Sequence, residues 1–377
     1  MIETKSSKGN DNVSLARRNL FQDKLRFALS TAGVALAVML ILILNGFLSG
    51  MFAQIAAYLT HAPGTVVLAQ DGVTNLLGAT SLLPPGASGS AKAKGSAKVV
   101  PILSQFVILD LHDKKQPTYL IGYDSALGGG PWRMAEGNEP RKDDQVVVDR
   151  ILAQRHGIVI GDKFDILDKE FTVVGFSEGT TSWMTSFLFV RKTAAESLLR
   201  APDATSFLLL TPSDRLTPEE LRARLKDVPG AEALLKRDMV ANDAKLFGRI
   251  FSAPLQLMAA IASLVGTLVV GLVIYTATVE RQREYGVLKA VGARNGMLYR
   301  VVTLQALIVT AIGSVIGVGL AFGAAQLIMT LRPQFLITFE PMAIVRALSA
   351  GLGMALLAAL FPARVIAGLA PADIFRK

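Results

Sequence analysis

The stretch FALSTAGVALAVMLILILNGFLSGMFAQIAAYL occupies residues 27–59 and contains no charged side chain. A helix of about 20 apolar residues is long enough to cross the hydrocarbon core of a bilayer. Three further uncharged runs follow, at residues 254–279, 301–331 and 347–363. The last run is short, and we expect its helix to begin earlier. The pattern predicts a membrane protein with four transmembrane helices, at 27–52, 254–279, 301–331 and about 342–363.

The distribution of charge predicts how these helices are oriented. The chain carries 39 Lys and Arg residues against 30 Asp and Glu residues, a formal net charge of +9. Basic and acidic residues are equally numerous within residues 53–253, so the excess lies in the termini and around residues 280–300. Short basic segments beside membrane spans stay in the cytoplasm. We therefore expect a multi-pass protein of the inner or plasma membrane with both termini and residues 280–300 in the cytoplasm.

Composition and motifs exclude several classes of function. The basic residues flank apolar runs without interleaved aromatics, so they do not indicate nucleic-acid binding. There is no cysteine, and His61, His112 and His156 lack the spacing of metal ligands. Neither a G-x-x-x-x-G-K-[ST] phosphate loop nor a nucleophile–base–acid set occurs. We expect a non-catalytic subunit that holds no metal and no cofactor and is surrounded by membrane lipid.

Residues 53–253 predict a mixed α+β extracytoplasmic domain inserted between helices 1 and 2. Runs of β-branched and aromatic residues predict strands at 65–69, 106–109, 118–123, 145–148, 163–166, 171–176, 186–190 and 206–210. Helices are predicted at 150–156, 193–199 and 218–225, the last with Thr217 as its N-cap. Residues 84–98 have little to bury, which predicts a flexible loop, and residues 231–251 predict a helix that runs into the second span.

Two features flank or lie within the spans. Residues 1–26 form a cytoplasmic N-terminal segment, and residues 13–26 have the pattern of an amphipathic surface helix or of a plain charged flank. Glycines spaced four residues apart let helix backbones approach closely. Such spacing predicts helix-packing sites, within this chain or between two chains, at Gly46 and Gly50, Gly313 and Gly317, and Gly319 and Gly323.

Residues 280–293 read ERQREYGVLKAVGA. On a helix, Tyr285, Leu288 and Val291 would share one side, and the charged residues would surround it. A short amphipathic helix of this kind fits a groove on a soluble partner. The alternative is a basic helix that only contacts the lipid surface.

This segment, from Glu280 to Gly286 and again from Leu288 to Ala293, resembles the hallmark of MacB/FtsX-type ABC transporter permeases. Residues 361–364 (FPAR) and 370–372 (APA) are similar to the end of that family's permease domain. Val147-Val148-Asp149, residues 161–163 (GDK) and residues 171–175 (FTVVG) resemble the MacB-type periplasmic core. In size the chain is similar to the DevC-like subgroup, which has no fused ATPase.

The resemblance implies a fold and a set of partners. Residues 254–377 would form the FtsX-like permease domain, and spans one and two would continue outward as a stalk. ATP would be bound by a separate ABC ATPase that docks on the coupling residues Glu280, Arg281, Arg283, Glu284, Tyr285, Gly286, Leu288, Lys289 and Gly292. A second permease chain, identical or different, and a membrane-fusion protein are further expected partners.

The function implied is that of a permease subunit in a mechanotransmission-type exporter. In that mechanism, closure of the ATPases moves the stalk and the external domain. Two alternatives within the same family stay open. One is an FtsX-like signalling permease that activates a cell-wall hydrolase, and the other is a LolC/LolE-like lipoprotein extractor.

Overall fold

The computed structural model describes residues 24–111, 114–183, 185–280, 287 and 295–367. It divides into two compact units. The helical unit lies within Met1–Ser49, Ala253–Leu331 and Ile337–Lys377, and the sheet unit comprises Gly50–Ser252 and Arg332–Leu336. The predicted surface helix at 13–26 lies almost wholly outside the described residues, as do most of residues 280–293.

Helices account for all of the apolar runs. Those assigned in the described part of the chain are α1 Lys24–His61, α2 Ala87–Ala93, α3 Arg150–His156, α4 Lys192–Leu198, α5 Pro218–Arg224, α6 Lys236–Glu280, α7 Asn295–Leu331 and α8 Pro341–Ala367. Within that part, four helices are long and apolar enough to cross a membrane, at Phe27–His61, Lys236–Val269, Tyr299–Leu331 and Pro341–Ala359. The first two extend well beyond the predicted spans, because α1 continues to His61 and α6 begins at Lys236.

The strands form one mixed sheet. They are β1 Val66–Gln70, β2 Ser96–Leu111, β3 Lys114–Tyr123, β4 Met134–Gly137, β5 Gln145–Asp149, β6 Lys163–Ile166, β7 Lys169–Ser177, β8 Thr181–Ser182, β9 Thr185–Arg191, β10 Phe207–Pro212 and β11 Ala231–Leu235. Their order is β11-β1-β10-β2-β3-β9-β5-β7-β4, with β6 on β7 and β8 on β9. The pairs β3–β9 and β5–β7 are parallel, and the others are antiparallel.

The long strand β2 joins the two halves of this sheet. Its first part pairs with β10 as far as Ile102, and its second part pairs with β3 from Leu103 onward. Each half covers its own apolar core. One core includes Leu68, Leu210 and Leu221, and the other includes Phe171, Leu188 and Leu152. At the outer edge of the first half, β1 pairs with β11, so the first and last strands of the sheet unit are neighbours.

Local sequence signals explain the short helices. Thr217 accepts a hydrogen bond from the Glu220 amide at 3.2 Å, and the Glu220 carboxylate accepts one from the Thr217 amide at 2.8 Å. This reciprocal capping box, with Pro218 at the first turn, starts α5 where the sequence predicts it. Helix α3 is also confirmed, with Asp149 as its N-cap and the left-handed Gly157 (φ 66°) after its end.

The structure contradicts two predictions for the sheet unit. Residues 84–98 are not a flexible loop, because α2 lies within them and Ala87 and Ala91 are buried in the first core. Residues 231–251 are not wholly helical, because residues 231–235 are strand β11, paired along its full length with β1. The short strands β4 and β8 were not predicted at all.

Candidate functional site

The helical unit is held together where small residues meet. A Cβ atom built at Gly313 would lie 2.7 Å from Val34 Cβ and 2.9 Å from the Thr31 carbonyl oxygen. One built at Gly317 would lie 2.6 Å from the Ala35 carbonyl oxygen. Real Cβ atoms essentially never approach so closely, so α7 can lie this near to α1 only because both positions are glycine.

Other glycines extend this close packing to the remaining helices. A Cβ at Gly33 would lie 2.8 Å from Val269 Cγ1, and one at Gly266 would lie 2.6 Å from Ala37 Cβ, which brings α1 against α6. A Cβ at Gly351 of α8 would lie 3.0 Å from the Ser314 hydroxyl of α7. Sequence reasoning missed these three glycines, because each contributes singly and none completes a Gly-x-x-x-Gly pair.

The other predicted packing glycines have different surroundings. Gly46 lies against the segment that precedes α8, where a Cβ would meet Ile337 and Phe339, and its carbonyl accepts a hydrogen bond from the Thr338 amide at 3.1 Å. Gly50 is buried. A Cβ at Gly319 or Gly323 would meet no atom within 4 Å, so this face of α7 is open in the single chain.

Helix α6 presents a continuous apolar surface outward. Seven of its large apolar side chains between residues 257 and 272 are each more than half exposed: Leu257, Met258, Ile261, Leu264, Val265, Leu268 and Leu272. A soluble monomer rarely exposes so large an apolar surface. This surface is that of a helix in contact with lipid or with another membrane helix.

The predicted coupling segment lies between two long helices. Helix α6 ends at the exposed Glu280, and α7 begins at Asn295. Arg281, Arg283, Glu284, Tyr285, Gly286, Leu288, Lys289 and Gly292 lie outside the described residues. Their role in coupling therefore stays a prediction.

A buried polar cluster organises one end of the sheet unit, where β5 meets α3. Asp149 is completely buried. Its carboxylate accepts hydrogen bonds from the Leu152 amide (3.1 Å) and from the hydroxyls of Thr180 (2.8 Å), Thr181 (2.9 Å) and Ser186 (3.3 Å). Burial raises the pKa of Asp149 above the ordinary carboxyl value, and the four hydrogen bonds offset this only in part. The cluster fixes the loop that contains β8.

Comparison with known proteins identifies the family. A model described as MacB-like periplasmic core domain matches residues 27–228, more than half of the 377 residues, and one described as FtsX-like permease C-terminal matches residues 257–371. The chain is an ABC transporter permease of the MacB/FtsX type. The described part of the permease combines four helices long and apolar enough to cross a membrane with a mixed sheet domain, and the permease is a multi-pass membrane protein.

Individual relatives match the permease over different lengths. MacB of Photorhabdus laumondii, a macrolide export ATP-binding/permease protein, is 28% identical over 140 residues, which are 37% of this chain and 22% of that protein. MacB 1 of Yersinia pestis is 32% identical over 123 residues, 33% of this chain and 19% of the relative. The matched part is thus about a fifth of these relatives' length.

Two further matches concern a whole permease and a solved structure. An uncharacterized ABC transporter permease of Mycobacterium tuberculosis is 22% identical over 307 residues, covering 81% of this chain and 84% of that protein. The crystal structure of the periplasmic region of MacB from Actinobacillus actinomycetemcomitans aligns with 48% of this chain and 94% of its own, with a TM-score of 0.37 and 14% identity.

Proposed function

We propose that this permease transmits the movement of a separate ATPase across the membrane to its sheet unit and that it works in export. The observation that carries the proposal is the match of the FtsX-like model over residues 257–371. That range contains the motif of residues 280–293, placed between α6 and α7. The printed names of the MacB relatives, macrolide export proteins, support the direction of transport.

The partner ATPase is expected to contact the cytoplasmic segment between α6 and α7. Charged side chains there, among them Arg281, Glu284 and Lys289, would pair with the ATPase surface, while Tyr285 and Leu288 would fill an apolar groove. ATP would be bound and hydrolysed in that partner. Both termini of the permease would lie on the same, cytoplasmic side of the inner or plasma membrane.

Close packing in the helical unit supports the transmission of movement. Because Gly313 and Gly317 bring α7 into close contact with the backbone of α1, the two helices cannot approach further without a clash. A push on the start of α7 would therefore also move α1. Both α1 and α6 extend beyond the predicted spans, as a stalk would require.

A second permease chain fits the surfaces left open. The apolar face of α6 and the open face of α7 at Gly319 and Gly323 are available to another membrane helix. The partner chain would be a second copy or a related permease. A membrane-fusion protein outside the membrane would complete an exporter, whereas a cell-wall hydrolase or a lipoprotein acceptor would indicate the FtsX-like or LolC/LolE-like alternative.

The ATPase contact is tested with two tryptophan variants in the same cytoplasmic region. Gly286→Trp should block docking by steric bulk, so the ATPase should no longer co-purify with the permease. Gly296→Trp is the matched control, because a Cβ at Gly296 meets no atom within 4 Å. Retained ATPase binding in Gly286→Trp would return residues 280–293 to the role of a lipid-surface helix. Loss of binding in both variants would show only that ATPase binding is sensitive to any bulky side chain in this region.

A further inference from the structure

The loop between α7 and α8 belongs to the sheet unit although both of its helices belong to the helical unit. Residues Arg332–Leu336 group with Gly50–Ser252 in the division of the chain. The loop begins with a turn in which the Phe335 amide donates a hydrogen bond to the Arg332 carbonyl at 3.0 Å. The turn directs the Phe335 ring and the Gln334 carbonyl toward different partners within the sheet unit.

The principal partner is an aromatic cluster around Trp183. The indole of Trp183 is nearly buried, and its centroid lies 6.2 Å from that of Phe335 and 5.4 Å from that of Phe251. These distances are within the range in which aromatic pairs stabilise each other beyond their simple burial. One indole therefore contacts both the outer loop and the part of α6 that lies in the sheet unit.

A hydrogen bond supports the same loop from α1. The buried Gln54 side chain donates from Nε2 to the Gln334 carbonyl oxygen at 3.0 Å. This hydrogen bond is partly buried, and breaking it would cost free energy because the Gln334 carbonyl and the Gln54 amide would lose their partner. The loop is thus fixed at two points. The Phe335 ring contacts Trp183, and the Gln334 carbonyl accepts the hydrogen bond from Gln54.

The position of Trp183 is itself fixed by the Asp149 cluster. Thr180 and Thr181 donate their hydroxyls to the Asp149 carboxylate, and the Thr180 carbonyl accepts from the Phe187 amide at 3.1 Å. Only two residues separate Thr180 from Trp183. The buried carboxylate therefore holds the loop from which the indole projects, and it does so from the core of the sheet unit.

We propose that Trp183 is a positioning residue that fixes the Arg332–Leu336 loop to the sheet unit. Spans three and four are then connected to the external domain through their outer loop, in addition to the continuous helices α1 and α6. The transmitting role of this connection rests on the proposed function, whereas the positioning role does not. Movement of α7 or α8 would reach the sheet unit without passing through the stalk.

The positioning role is tested by amide hydrogen exchange in the purified, full-length permease. Trp183→Ala should speed exchange of the amides at 334–337 about threefold to tenfold, because the loop loses its aromatic anchor. Trp183→Phe should keep most of the protection. The control is Trp132→Ala, which removes the other tryptophan of the chain, one that stacks on His61 at 4.6 Å in the same unit.

Two outcomes of this experiment would overturn the positioning role. One is unchanged exchange at 334–337 in Trp183→Ala, and the other is equal acceleration in Trp132→Ala, which would indicate general loosening. If Trp183→Ala fails to fold, Phe335→Ala provides the reciprocal measurement. It should speed exchange in residues 178–186, and unchanged exchange there would contradict the proposal.

The transmitting role is tested with the partner ATPase and a non-hydrolysable ATP analogue. In the wild type, the analogue should change amide exchange within residues 66–235, and Trp183→Ala should lose part of that change while still binding the ATPase. Equal responses in the two proteins would overturn the transmitting role. A wild type that does not respond would refute the proposed function and the transmitting role with it, and the exchange of residues 334–337 would still decide the positioning role.

Discussion

Two alanine substitutions on one helix test the packing of α7 against α1. Gly317 and Gly319 are two residues apart, yet their surroundings are opposite. A Cβ at Gly317 would lie 2.6 Å from the Ala35 carbonyl oxygen and 3.0 Å from Val38 Cβ, whereas one at Gly319 would meet nothing within 4 Å. Gly317→Ala should therefore force the helices apart, and Gly319→Ala should not.

The expected difference follows from two opposing effects. Carbon–oxygen contacts are normally no shorter than about 3.3 Å, so α1 and α7 must separate by roughly 0.7 Å at Gly317. Overpacking of this kind typically costs about 1–3 kcal/mol. Replacing glycine by alanine in a helix gains about 0.5–1 kcal/mol, but this gain is common to both variants and cancels between them. Gly317→Ala should therefore be less stable than Gly319→Ala by about 1–3 kcal/mol.

The assay is reversible unfolding of the purified permease in mixed micelles, followed by circular dichroism as the fraction of denaturing detergent rises. Gly319→Ala should unfold at the same or a higher detergent fraction than the wild type, and Gly317→Ala at a lower one. If the two variants agreed within about 0.5 kcal/mol, the usual scatter of a surface substitution, the backbone contact between α1 and α7 would be refuted.

Three further predictions concern the sheet unit and the topology. Because burial raises the pKa of Asp149, its contribution to stability is greatest at acid pH and is lost as pH rises from the ordinary carboxyl value through the raised one. Asp149→Asn should therefore flatten the pH dependence of unfolding above the ordinary carboxyl pKa of about 4, and an unchanged slope would contradict the assignment. Thr217→Ala should cost about 1 kcal/mol in the unfolding free energy through loss of the α5 cap, whereas Thr217→Ser should restore it; equal losses would exclude the cap as the cause. Reporter fusions at Asp214 and Asn295 should be external and cytoplasmic, respectively, and the reverse result would disprove the predicted orientation.

Local patterns in the sequence predicted most of the sheet unit. The helix of residues 150–156 and the strand of residues 163–166 agree with the structure, because capping residues and alternating burial act over a few neighbours. Residues 231–235 (AEALL) have helical propensity, but pairing with β1 outweighs it. In residues 84–98, Ala87 and Ala91 are one helical turn apart and fill a site against the core that needs only small side chains. Composition alone could not show this.

The candidate site was less predictable because its contacts join residues that are distant along the chain. The spacing of glycines shows where a helix can be approached closely but not which face meets a neighbour, so Gly313 and Gly319 look equivalent in sequence and differ in the structure. Trp183 and Phe335 are far apart along the chain, and no periodicity relates them. Asp149 stands in a stretch that resembles the MacB-type core, but only its four hydrogen bonds reveal that it supports the loop of Trp183.

The neighbouring first and last strands of the sheet unit affect how such permeases can evolve. The Lys236 amide donates to the Thr65 carbonyl, and its ammonium group donates to the Ala62 carbonyl, each at 2.9 Å. The chain therefore enters and leaves the sheet unit at neighbouring positions. Exchanging this domain for another whose ends are equally close would leave the separation of α1 and α6 unaltered. Different sheet domains could then be recombined onto an unchanged set of membrane helices.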